Sequence, residues 1–180
     1  MAEKKTSLSA HAFQYALYIA GASVILMIIS FALDLTNSRG IGILSWLIVL
    51  IGLFYSGFKY RDGVLNGYIS FGRAFKVIFQ TGLFYGLIMT AYSMLHYTVI
   101  DPGAIQEMIQ YSLEKAVEAS PSMTQQQLDA IRSLQENVTF TWWGISISQF
   151  FSGLFWGVIG GLLLSLIIKK EEANPSPFNQ

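Results

Sequence analysis

The chain has 180 residues and a formal net charge of zero; 53% of its residues are hydrophobic and only 12% are Asp, Glu, Lys or Arg. Soluble proteins carry roughly 25% charged residues, so this composition indicates a membrane protein whose main partner is the lipid bilayer. The zero net charge argues against nucleic-acid binding, which needs a concentrated basic face. The chain has no Cys and only two His, which excludes disulfides and thiolate metal sites and argues against a histidine-rich metal centre. We therefore expect no cofactor, no metal and no nucleic-acid partner.

Four uncharged runs approach or exceed the roughly 20 residues that a helix needs to cross a bilayer. They cover residues 13–33, 41–58, 77–100 and 141–168. The first run could instead be a signal peptide, but its length exceeds the usual apolar core of about 7–15 residues, so we expect it to be retained. The sequence therefore predicts an all-α fold, with one membrane domain over residues 1–180 that forms a four-helix transmembrane bundle.

The distribution of Lys and Arg predicts the orientation, because these residues are retained on the cytoplasmic side of a membrane. Three of the 11 basic residues, Arg39, Lys115 and Arg132, fall in the first and third connections. The remainder flank the other ends of the spans and would act as topology anchors: Lys4, Lys5, Lys59, Arg61, Arg73, Lys76, Lys169 and Lys170. We expect an inner-membrane protein with both termini in the cytoplasm.

The polar stretch from Gly57 to Lys76 has two interpretations. In the first it is a topology-setting loop whose aromatic residues form a belt at the headgroup level, namely Tyr60, Tyr68, Phe71 and Phe75. In the second its glycines are flexible points in a loop that binds an anion or a partner, namely Gly63, Gly67 and Gly72. No phosphate-binding glycine motif is present, so we favour the first interpretation.

Residues 101–140 are predicted to form an extracytoplasmic helical hairpin between the third and fourth spans. This segment has six acidic residues, two basic residues and many Gln, and is therefore water-facing. Asp101 and Pro102 are typical of a helix start, and Thr124 with Gln127 predicts a capping box for a second helix. The two apolar stripes comprise Ile105, Ile109, Leu113, Ala116 and Val117, then Leu128, Ile131, Leu134 and Val138. We expect the stripes to pack on each other; the alternative is that one stripe docks a partner.

The fourth span carries a strip of small residues at intervals of four. The stretch "GLFWGVIGGLLLS" aligns Gly153, Gly157, Gly161 and Ser165 on one helix face, where another backbone can approach closely. A matching strip, Gly82, Gly86 and Thr90, lies on the third span. We expect these two helices to pack together within one chain, and the alternative is a face for a homo-oligomer.

Several stretches resemble a known protein family. They are "KKTSLSAHAFQYALYIA", "KYRDGVLNGYISFGRAFKV", "DPGAIQEMI" and the glycine-rich last span that ends in "IIKK". With these motifs the chain resembles the bacterial membrane family called domain of unknown function 4199, which is widespread in Bacteroidota. The resemblance covers nearly the whole chain. It implies an inner-membrane protein of four helices and supplies no catalytic residues, ligand or reaction.

The residues favour a non-enzymatic membrane protein that acts through helix packing or through assembly with itself or another membrane protein. The alternative is a small transporter or channel subunit, but no Asp, Glu, Lys or Arg lies inside a predicted span. Gln80, Ser148 and Gln149 are the deepest polar candidates and more often make interhelical hydrogen bonds. An acid–base site formed by Asp34, His96 and Asp101 is conceivable, but this group lacks a nucleophile.

Overall fold

The computed structural model describes residues 7–33, 35 and 38–171, and within them the chain is helical. The α-helices are α1 (Leu8–Ala32), α2 (Arg39–Val64), α3 (Phe71–Leu95), α4 (Ala104–Ala119), α5 (Gln125–Leu134) and α6 (Trp142–Ile168). Two π-helical segments, π1 (His96–Ile100) and π2 (Gln135–Thr139), follow α3 and α5. No strand occurs in the described residues, which contain one isolated antiparallel bridge between Ile69 and Lys170. The all-α prediction is confirmed.

Four of these helical stretches are long and apolar enough to cross a membrane. They are Leu8–Ala32, Arg39–Val64, Phe71–Ile100 and Trp142–Ile168. Large apolar side chains on them stay exposed in the protein alone, for example Trp46 at 63% and Ile167 at 68%. Water-facing surfaces rarely carry so much contiguous apolar area, and a hydrocarbon environment accounts for it. The protein is a multi-pass membrane protein.

The first three helices begin earlier than the uncharged runs predicted, and the second ends later. Helix α1 begins at Leu8, where the Ser7 hydroxyl accepts a hydrogen bond from the Ala10 backbone N–H at 3.2 Å. Helix α2 continues past Lys59 and Arg61 to Val64. Lys and Arg are good helix formers and can extend their charged ends toward water, so a charge limits the hydrocarbon contact without ending the helix.

The interpretation of Gly57–Lys76 as one long loop is therefore wrong, because only residues 65–70 lie between α2 and α3. Asn66 and Gly67 have positive φ angles of 54° and 90°, which produce the turn. Gly63 and Gly72 lie inside helices, so of the three glycines proposed as flexible points only Gly67 occupies a conformation that favours glycine.

The chain forms two compact units, Met1–Ile88 with Ser152–Gln180, and Met89–Phe151. In the first unit, α2, α3 and α6 supply fully buried side chains: Leu53, Val77, Ile78 and Ile168. Gly57 lies against Ile78 and Ile168, where an added Cβ atom would be 3.0 Å from the side chains of both. The core of this unit is therefore formed where these helices meet.

The second unit contains the predicted hairpin. Helix α4 begins at Ala104 rather than at Pro102, because Pro102 and Gly103 form a turn. Asp101 still caps the helix, since its Oδ1 accepts a hydrogen bond from the Ala104 N–H at 3.1 Å. The predicted capping box of Thr124 and Gln127 is present at the start of α5. Helix α5 ends at Leu134, so Val138 lies on π2 instead of continuing the α-helical stripe.

Candidate functional site

The small-residue strips of α3 and α6 meet inside the first unit. A Cβ atom added to Gly82 would lie 2.5 Å from the Gly157 Cα and 2.8 Å from the Gly153 carbonyl oxygen. One added to Gly153 would lie 2.6 Å from the Gly86 backbone nitrogen. Real Cβ atoms do not approach backbone atoms so closely, so the two helices are in backbone contact here and a side chain would separate them.

Further along α6, the same face is covered by Phe75, which the sequence had assigned to the interfacial aromatic belt. A Cβ atom added to Gly161 would lie 3.1 Å from the Phe75 ring. Phe75 stacks on Phe71 and Phe79 of the same helix, with centroid distances of 6.5 and 5.9 Å. Ser165 is fully buried in this unit. The signal in the sequence was the spacing of four between the three Phe residues, which puts them on one face of α3.

In the second unit, α3 and α6 are joined by a hydrogen bond. The Thr90 hydroxyl donates to the Ser146 carbonyl oxygen at 3.2 Å. Ser146 is buried, and its own hydroxyl donates to the Trp142 carbonyl oxygen at 2.6 Å. Thr90 thus contributes a polar contact, whereas Gly82 and Gly86 contribute close backbone approach.

The predicted topology anchors that lie within the described residues flank the helix ends on one side of the first unit. Lys59 and Arg61 lie near the end of α2, Arg73 and Lys76 near the start of α3, and Lys169 and Lys170 directly after α6. Arg61 donates from Nη1 to the Ile168 carbonyl oxygen at 3.1 Å. Reciprocal backbone hydrogen bonds join Ile69 and Lys170 at 2.8 and 2.9 Å, and they hold the α2–α3 turn against the end of α6. Lys4 and Lys5 lie outside the described residues.

Tyr60 does not belong to the interfacial aromatic belt predicted for this region. It is only 3% exposed, and its ring packs edge-on against the His11 ring with centroids 5.0 Å apart. Tyr68, by contrast, is exposed, and the Lys170 ammonium lies 5.4 Å from its ring centroid. Position near a span end therefore did not distinguish an interfacial tyrosine from a buried one.

A buried polar cluster links α1, α2 and α3 in the first unit. One His11 ring nitrogen, Nε2, lies 2.9 Å from the Ser56 carbonyl oxygen. The Ser56 hydroxyl lies 2.8 Å from the Thr81 hydroxyl, which donates to the Val77 carbonyl oxygen at 2.9 Å. The sequence analysis missed this cluster, because one His, one Ser and one Thr on three separate helices form no motif. Its members hydrogen-bond to one another or to backbone, an arrangement that stabilises interhelical packing.

The residues considered for an acid–base site have structural contacts. Asp101 caps α4, and the His96 Nδ1 lies 3.4 Å from the Tyr92 hydroxyl one turn earlier. Asp34 lies outside the described residues. Within the described part of the chain, no cluster of three His, Cys, Asp or Glu side chains could hold a metal ion.

A groove of about 800 Å³ runs between α4 and α5 in the second unit. Three α4 residues on successive turns, Ile109, Leu113 and Val117, line it together with Leu128 of α5. Ile109 is buried, Leu113 and Leu128 are half-buried, and Val117 is 42% exposed. Three of the five residues of the predicted α4 stripe and one of the four residues of the predicted α5 stripe thus line a common space without filling it. This outcome lies between the self-packed hairpin and the exposed stripe that the sequence left open.

Charged side chains surround the groove, and most are acidic. The acidic lining residues are Glu114, Glu118, Asp129 and Glu136, whereas Arg132 is the basic one. Glu118 pairs with Lys115 at 2.6 Å, and this contact raises the pKa of Lys115. Among the described residues, Asp129 and Glu136 make no ion pair. The groove therefore combines an apolar floor with an acidic rim.

Comparison with known proteins places the chain in a family without assigning an activity to it. No curated protein and no solved structure matches the chain significantly. A family model described as "Protein of unknown function (DUF4199)" matches residues 14–170, which include all six α-helices except the start of α1. The chain therefore belongs to the DUF4199 family.

Proposed function

We propose that this protein acts through assembly with a partner protein. Its membrane helices form a scaffold in the bilayer, and the groove between α4 and α5 binds the partner outside the bilayer. The groove itself supports the proposal, because its floor keeps apolar side chains partly exposed beside five charged lining residues. Ordinary self-packing of a hairpin would cover such side chains.

The proposed orientation is that of an inner-membrane protein with cytoplasmic termini and an extracytoplasmic segment at residues 101–140. It is supported by the excess of Lys and Arg at one set of span ends and by the acidic character of residues 101–140. Trp142 and Trp143, both exposed at the start of α6, suit the interfacial region beside this segment.

The close contact between α3 and α6 supports an intramolecular role for the glycine strips. Gly82 and Gly86 already face Gly153 and Gly157 of the same chain, and Phe75 covers Gly161. A second copy could not approach these glycines without displacing a helix. We propose that the strips make the scaffold of membrane helices rigid, and that the partner protein binds in the groove.

Transport is the second candidate function. The His11–Ser56–Thr81 cluster places polar atoms among the membrane helices, which a polar pathway would also require. Its hydrogen bonds to neighbouring helices favour a packing role. Flux of ions or small solutes through proteoliposomes that contain only this protein, abolished by Thr81→Val, would favour transport over assembly.

Site-specific cross-linking in cells tests the assembly proposal, and the lack of Cys in the natural chain provides a clean background. Val117→Cys places a thiol in the groove, whereas Ser122→Cys places one on the α4–α5 turn outside it. After attachment of a photoactivatable group, we expect the Val117 variant to give a discrete protein adduct and the Ser122 variant to give none. Equal labelling patterns, or no adduct from either variant, would contradict the proposal.

A further inference from the structure

We infer that the groove between α4 and α5 receives an amphipathic helix of net positive charge from a partner protein. This inference rests on the proposed function and specifies the chemistry of the partner. The shape of the floor supports a helical occupant. Ile109, Leu113 and Val117 are four residues apart, so they form an apolar line about 12 Å long at 1.5 Å per residue. An elongated apolar line between two helices is the arrangement that binds the apolar face of a third helix.

The charge of the rim determines which helices fit. Four carboxylates and one guanidinium line the groove, so an occupant with Lys or Arg beside its apolar stripe finds complementary charge on the rim. Asp129 and Glu136, which make no ion pair among the described residues, are free to bind such cations. Asp129 lies on α5 and Glu136 directly after it on π2, so these two carboxylates belong to one wall of the groove, and Glu114 on the α4 wall also makes no ion pair among the described residues.

The same charge disfavours two other occupants. The hairpin of a second copy would bring six acidic and two basic residues from positions 101–140 against the acidic rim. An anionic lipid surface would likewise meet carboxylates, and surface-binding helices are normally basic. A basic partner helix satisfies both the apolar floor and the acidic rim.

Maleimide protection with defined peptides tests this inference. The full-length Val117→Cys protein in nanodiscs is reacted with a maleimide in the presence of synthetic amphipathic helices. One peptide carries Lys beside a Leu stripe, and the matched peptide carries Glu at the same positions. We expect the Lys peptide to slow modification of the thiol at low salt, with weaker protection at high salt, and the Glu peptide to leave the rate unchanged.

Rim variants provide the matched control. Asp129→Asn with Glu136→Gln removes two charges from exposed positions, and we expect it to raise the Kd of the Lys peptide roughly two- to five-fold per charge. Glu107→Gln, on α4 but outside the groove lining, should leave the Kd unchanged. Retained helicity and melting temperature in each variant exclude unfolding as the cause.

Three outcomes would overturn the inference. Equal protection by the Lys and Glu peptides would show an apolar groove without charge selectivity, and protection by neither peptide would reject a basic helix as occupant. Protection by excess unlabelled protein alone would assign the groove to a second copy. If the Val117 adduct still forms in cells in any of these cases, the assembly proposal stands and only the chemistry of the partner is wrong.

Discussion

At the scale of single residues, Gly82 is the position where one added carbon has the clearest consequence. A Cβ atom there would lie 2.5 Å from the Gly157 Cα, so neither helix can relax by rotating a side chain. We expect Gly82→Ala to lower the free energy of unfolding in detergent by about 1–3 kcal/mol through overpacking. Gly72→Ala on the same helix meets no atom within 4 Å and should be neutral or slightly stabilising. Equal melting temperatures for the two variants would contradict close α3–α6 packing.

The buried hydroxyl pair provides a second prediction at this scale. Ser56 and Thr81 lie 2.8 Å apart, and both side chains are fully buried. A double-mutant cycle with Ser56→Ala and Thr81→Val should give a coupling energy of about 0.6 kcal/mol, typical of hydrogen bonds between membrane helices. Reversible unfolding in mixed micelles would measure it. A coupling energy of zero would mean that the two hydroxyl groups contribute independently.

At the scale of elements, α5 depends on its capping box. The Thr124 hydroxyl accepts from the Gln127 N–H at 3.3 Å, and the Gln127 side chain accepts from the Thr124 N–H at 2.8 Å. Helix α5 has only 10 residues, so its intrinsic helical stability is low. We expect Thr124→Ala to destabilise it by about 1 kcal/mol and to accelerate hydrogen exchange at its amides. Ser122→Ala, in the preceding turn, should leave exchange unchanged; similar acceleration in both variants would argue against the cap.

Helix positions could be predicted from the sequence, but several helix ends could not. Uncharged runs marked all four spans because hydrocarbon contact excludes charge, and Thr124 with Gln127 marked the start of α5 because capping is local chemistry. The continuation of α2 through Lys59 and Arg61 was missed, because a charged residue limits the contact of a helix with lipid but does not terminate the helix. The π-helical segments after α3 and α5 had no signal in the sequence.

The candidate sites show the same division between local and tertiary information. The spacing of Gly153, Gly157 and Gly161 revealed a face that needs close contact, whereas the role of Phe75 in covering Gly161 depends on how α3 and α6 pack. Tyr60 was assigned to the interface because it follows a span, yet the ring of His11, on helix α1, packs against it. The groove likewise depends on how α4 and α5 lie against each other, since the stripe of either helix alone predicts only a packed face.

At the scale of the whole molecule, the proposed function requires that residues 101–140 lie on the opposite side of the membrane from the α2–α3 turn. Only then does the groove face an extracytoplasmic partner. The arrangement is inferred from the distribution of Lys and Arg, which follows the retention of positive charge in the cytoplasm.

Labelling of single cysteines in intact cells tests this requirement most directly, because the natural chain has no Cys to interfere. Ser120→Cys lies on the α4–α5 connection and Asn66→Cys on the α2–α3 turn, and both positions are exposed. With a membrane-impermeant maleimide, we expect the cysteine at position 120 to be modified in intact cells and the one at position 66 to be modified only after the inner membrane is permeabilised. Modification at position 66 but not at position 120 in sealed cells would place the groove in the cytoplasm and would rule out an extracytoplasmic partner.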